Sequence, residues 1–154
     1  MAARVPRALE VSAAVLTRMT PGLRAAVFVV CALLWASGIL WLVLHLGFEP
    51  RNEFGTLPHP WEAPLMRVHG VVAVVGVFLL GWLGAGHILE RWRRARKRTS
   101  GWVLMACAVL LVFSGYALYY TVGAPHAASA GVHEWLGAAT LVVALAHWLR
   151  IRSA

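Results

Sequence analysis

Charge is scarce in this 154-residue chain: only 13% of its residues are charged, and just six of them are Asp or Glu. A soluble domain of this size normally carries about a quarter of its residues as charges. A chain that is 60% hydrophobic cannot hide that much apolar surface inside so small a body. Cysteine is scarce as well. Cys31 and Cys107 each stand alone in an apolar run, and no Cys-x-x-Cys-His occurs, which excludes covalent attachment of a c-type haem. The two thiols read as small packing residues. The formal net charge of +8 would invite nucleic acid if it lined a soluble face. Its basic residues instead sit at the ends of apolar segments, so they read as determinants of membrane orientation, with membrane lipid as the partner and no nucleic acid.

What remains is long apolar runs. Residues 25–46 form an uncharged stretch of 22, enough at about 1.5 Å per residue to cross a hydrocarbon core of roughly 30 Å. Further helices are expected at about 63–90, 101–122 and 129–149. Between the first two lies a segment with Pro50, Asn52, Gly55, Pro58, Pro60 and Pro64, a composition of turns and water-exposed loop. His59 in that loop and His126 in the shorter loop before the fourth helix read as exposed and without a specific task. Residues 1–24 carry four arginines around a short apolar stretch and read as a cytoplasmic arm lying at the surface. Met19, ahead of Thr20 and Pro21, is an alternative first residue.

Lys and Arg distribute unevenly over the loops. Twelve fall before the first segment, between the second and third, or after the fourth, against only Arg51 and Arg67 on the opposite side. The positive-inside rule then places both termini in the cytoplasm. The expected fold is all-α: an integral membrane four-helix bundle, up-down-up-down, forming one transmembrane domain over residues 25–152.

The chemistry-bearing residues are histidines. Ser37-Gly38 in the first segment is followed by His69 and His87 in the second, and Ser114-Gly115 in the third is followed by His133 and His147 in the fourth. That order reads as an internal duplication of a helical hairpin. His87 lies four residues before Arg91 and His147 three before Arg150, so these two share an inner level, with His69 and His133 as the outer members. The spacing of 14 residues returns to within about 40° of one face and advances about 21 Å; the spacing of 18 returns to the same face and advances about 27 Å. The resulting mismatch of about 6 Å between the outer members calls for a tilt or kink in the glycine-rich second helix. Gly76 falls on the histidine face, where a side chain would obstruct a macrocycle, and Gly137 lies one turn below His133.

Ionisable groups are costly inside a bilayer, and four of them at matched positions point to function. Two low-spin b haems, each held by two neutral imidazoles between helices, fit this pattern, the expected pairs being His69 with His133 and His87 with His147. Arg67 is a candidate partner for outer propionates and Arg91, Arg94 or Arg150 for inner ones. Two other readings stand beside this one. The histidines could bond neighbouring helices, or they could form a transition-metal path, as in a metal ion transporter, although no Cys motif or helix-buried Asp accompanies them. His45, alone near the outer end of the first helix, reads as a headgroup-level residue. Trp61, Trp82, Trp92, Trp102 and Trp148 fall towards segment ends and read as interfacial anchors.

The run Val132-His133-Glu134-Trp135-Leu136-Gly137, continuing to Ala146-His147-Trp148-Leu149, resembles the last helix of small bacterial cytochrome b561-like membrane proteins. Ser114-Gly115, Val68-His69-Gly70 and Gly86-His87-Ile88-Leu89 share the likeness more weakly, and it extends over roughly residues 35–152. The resemblance implies two b haems in a four-helix bundle in the bacterial cytoplasmic membrane. It also implies electron passage between quinone and a partner redox protein or larger complex. In that comparison His133 and His147 match the paired ligands of the final helix and His69 an outer partner. The fourth ligand departs from the pattern, since the first helix begins without a histidine and His87 must supply it. A self-contained quinone-linked oxidoreductase acting on a small external reductant is the alternative.

Overall fold

The structure, a computed structural model, describes residues 20–48, 51–53, 55–84 and 99–152. Its four long helices are α1 (Pro21–Gly47), α2 (Glu62–Leu83), α3 (Thr99–Tyr120) and α4 (Ala124–Arg152), and each is long and apolar enough to cross a membrane. The all-α expectation therefore holds. The only other ladder among the described residues is a two-residue antiparallel pair, β1 (Arg51–Asn52) with β2 (Gly55–Thr56), closed through Gly55 at φ 118°. The chain divides into two compact units, residues 1–95 and 96–154, and each holds one helical hairpin.

In the first hairpin α1 and α2 run antiparallel, with Leu34 and Val30 against Gly76, Ser37 against His69, and His45 against Glu62. The start of α1 is fixed by Thr20, whose hydroxyl accepts the Leu23 N–H at 3.2 Å, and by Pro21 in the first turn, where its missing N–H costs nothing. Thus α1 begins four residues before the first apolar run does, and residues 21–24 of the expected arm are helical. At the other end Glu62 draws the loop onto the helix. One carboxylate oxygen accepts the His59 backbone N–H at 2.7 Å, the His59 carbonyl accepts the Glu62 N–H at 2.9 Å, and the second carboxylate oxygen meets His45 Nδ1 at 3.2 Å. This reciprocal pair closes a turn just ahead of α2, and one further contact ties it to α1. The His45 ring also stacks on Trp41, with centroids 4.6 Å apart. His45 and His59 therefore both have structural work, more than their sequence positions implied.

The second hairpin turns faster. Tyr120 ends α3 and Ala124 starts α4, and Gly123 at φ 63° makes the reversal in a conformation that suits glycine. The fourth helix begins at Ala124 rather than near residue 129, because a proline in the first turn is tolerated there. His126 accordingly lies in helix, exposed, and not in a loop.

The burial pattern is inverted relative to a water-soluble protein. Among the described residues no apolar side chain is buried, and the three buried residues, Ser37, Glu62 and Thr140, are all polar. Lipid tails solvate Leu and Val as well as a core would, so helices in a bilayer gain from small residues and interhelical hydrogen bonds instead. Lengths of 22 to 29 residues exceed a 30 Å core with room for ends at the headgroups. Trp61, Trp82 and Trp102 near helix ends are exposed, as membrane anchors would be.

Candidate functional site

His69 and His133 occupy the same chemical setting in the two hairpins. Ser37 Oγ lies 2.9 Å from His69 Nδ1, and Ser114 Oγ lies 2.9 Å from His133 Nδ1. In each case the next residue is a glycine under the ring. A Cβ built on Gly38 would meet His69 Cε1 at 3.5 Å, and one built on Gly115 would meet His133 Cε1 at 3.2 Å. The Ser-Gly pairs that mark the duplication in sequence are thus the floor and the hydrogen-bond partner of one histidine each.

Each seryl hydroxyl also has a helix carbonyl within reach. A seryl hydroxyl has one proton. Ser37 gives it to the Leu33 carbonyl at 2.7 Å, with the Leu34 carbonyl at 3.1 Å, and Ser114 gives it to the Leu111 carbonyl at 3.2 Å. A hydroxyl whose proton goes to the carbonyl meets its histidine as an acceptor, and the matching ring is the one protonated on Nδ1. A neutral imidazole protonated on Nδ1 carries its lone pair on Nε2, the form in which histidine commonly ligates a metal.

His147 follows the same glycine rule. Its Cε1 lies 3.6 Å from where a Cβ on Gly101 would stand, in the first turns of α3. All three described candidate ligands therefore set an imidazole against a glycine of the adjacent helix. His87 lies outside the described residues, as do Arg91, Arg94 and Trp92.

The other expected site residues fall as follows. Gly76 shares the His69 face, but its open side is filled within the hairpin, with Leu34 Cδ1 at 3.4 Å and Val30 Cγ1 at 3.6 Å from a built Cβ. It serves helix packing in this arrangement. Gly137 is looser, with Leu111 Cδ2 at 4.0 Å. Thr140, one turn further, is buried and returns its hydroxyl to the Leu136 carbonyl at 2.6 Å. Arg67 is exposed on α2, two residues before His69, and so lies about 160° around the helix from it. Cys31 and Cys107 are free thiols.

Sequence reasoning used Ser37 and Ser114 as markers of a repeat and missed them as histidine partners; Gly101 it missed altogether. The available signal was the same dipeptide standing in both odd-numbered helices. Among the described residues no three His, Cys, Asp or Glu side chains gather closely enough to cage a bare metal ion, whereas axial ligation of a haem asks for separate imidazoles. The donor chemistry fits that group: imidazoles on apolar helices, two of them with Nδ1 beside a seryl hydroxyl. No protein-family profile, no curated protein and no solved structure matches the chain.

Proposed function

We propose that this chain is a membrane-embedded b-type cytochrome that binds two haems through His69, His87, His133 and His147. The observation that carries the reading is the repeated setting of His69 and His133, with the same hydroxyl at the same distance beside the same glycine. A histidine serving only to tie helices together would also bond its neighbour. The structural and the ligand role use different ring nitrogens here, however, and the Nδ1 bond prepares the Nε2 one.

Bound haem would supply one-electron redox chemistry. The protein's own residues would hold the rings and exclude water with apolar helices. The ligand pairs proposed from sequence are His69 with His133 and His87 with His147. Gly137 is the proposed clearance for the macrocycle and Arg67 a proposed outer cation. The electron source or sink on the lipid side is proposed to be quinone, because a carrier dissolved in the bilayer can reach lipid-facing helices directly. The other partner is proposed to be a redox protein or a larger complex. The cytochrome b561-like resemblance and a bacterial cytoplasmic membrane, with both termini inside, complete the proposal. A reporter fused after Ala154 should then be active only in its cytoplasmic form.

The test is reduction of the purified protein, reconstituted in vesicles, by a quinol and then by dithionite. Quinol should reduce both haems. Reduction of both by dithionite alone would refute the quinone link, and a colourless protein that takes up stoichiometric zinc or copper would refute the cytochrome reading.

A further inference from the structure

We infer that Ser37 and Ser114 are positioning residues that lock His69 and His133 in the Nδ1–H tautomer and set the electron-donating strength of each ring at Nε2. The inference rests on the haem reading for its consequence, but its structural half stands alone. Serine in a helix routinely returns its hydroxyl to a carbonyl one turn back, and that habit accounts for the Leu33 and Leu111 contacts. It does not account for an imidazole 32 residues away in one hairpin and 19 in the other, each at 2.9 Å.

The carbonyl bond and the imidazole bond depend on each other. With its proton committed, the hydroxyl can only accept, so the ring nitrogen facing it must carry hydrogen. The carbonyl that takes the hydroxyl's proton also polarises the oxygen and makes it a better acceptor. The chain therefore runs from helix carbonyl to hydroxyl to Nδ1–H, and it ends on the lone pair of Nε2. Partners of this kind orient a ligating histidine and raise its basicity, and removing one typically costs about 10- to 100-fold in metal affinity. Gly38 and Gly115 lie under the two rings, and at Gly115 an added Cβ would stand only 3.2 Å from His133 Cε1, tighter than an ordinary contact.

A more basic imidazole favours ferric over ferrous iron, so loss of the hydroxyl should raise the midpoint potential of the haem concerned. Alanine is a better helix former than serine, so Ser37→Ala and Ser114→Ala keep their helices. Each variant should keep its haem in the as-isolated protein, show an upward-shifted potential for the affected haem, and release that haem faster to a soluble acceptor. Ser37→Thr, which keeps a hydroxyl, should restore the wild-type potential. A second measurement does not need the cofactor: nitrogen-15 NMR of histidine-labelled protein prepared without haem should find His69 and His133 protonated at Nδ1, with the preference weakened in the alanine variants. Potentials unchanged in both alanine variants, or wild-type rings protonated at Nε2 instead, would overturn the inference. A protein that never binds haem yet shows the Nδ1–H tautomer would remove the redox reading and leave the serine–histidine assignment standing.

Discussion

The two hairpins share one device and differ in how they are closed. Hairpin one joins its helices through a loop of 14 residues, tied down by Glu62 between His45 and His59; hairpin two turns in three residues around Gly123. The seryl-imidazole contact is nevertheless the same in both to a tenth of an ångström. Loops so different cannot both impose one geometry on rings about two turns into their helices, so the geometry belongs to the helix faces themselves. Substitutions at the shared contact should act alike in both hairpins, and substitutions at the closures should not.

The largest effect is expected at the rings. His69→Ala and His133→Ala should each abolish one low-spin haem in the absorption spectrum and leave the other, and under the proposed pairing both should remove the same one. Loss of different haems would keep the device and rewrite the pairing. Next comes the glycine floor, where the hairpins part slightly. A Cβ at Gly115 would press on His133 at 3.2 Å, tighter than usual, while one at Gly38 would meet His69 at an ordinary 3.5 Å. Gly115→Ala should therefore lower haem occupancy several-fold, and Gly38→Ala should leave it near wild type.

The closures should give smaller and one-sided effects. Glu62→Ala removes the acceptor of the His59 N–H and the contact to His45, at a cost of about 1 kcal/mol. Limited proteolysis should find faster cleavage in the loop at residues 48–61 and no change in hairpin two. Replacing Gly123, at φ 63°, with alanine should cost about 1 kcal/mol by the strain of that backbone region, read as a lowered melting temperature. Smallest of all, His45→Ala should leave the haem count unchanged, because its contacts are with Glu62 and Trp41 at the closure.

Much of this was legible beforehand because bilayers enforce simple rules. Uncharged runs long enough to span must be helices, and the four spans fell where apolar runs lay. Helix ends were less legible: Pro125 and His126 read as loop, yet the first turn of a helix accepts both. The loop ladder at 51–56 was also unforeseen, since two paired residues leave no periodic pattern. That His133 and His147 share a face was readable from their spacing, but which neighbour each ring would meet was not. Ser37 and His69 are separated by a loop whose length carries no register, so only packing brings them together. Gly76 illustrates the limit: its place on the His69 face was read correctly, while its filling by Leu34 and Val30 depends on the shape of the opposite helix.

The central claim is that these imidazoles are iron ligands, and counting haem with its ligand type tests it most directly. The protein should be purified from haem-replete membranes and measured by pyridine haemochrome assay against protein concentration, with electron paramagnetic resonance of the oxidised form. The account requires two non-covalent b haems per chain, both low-spin with two imidazole ligands. A chain that carries no haem, or whose haem signals survive intact when His69 and His133 are both replaced by alanine, contradicts it.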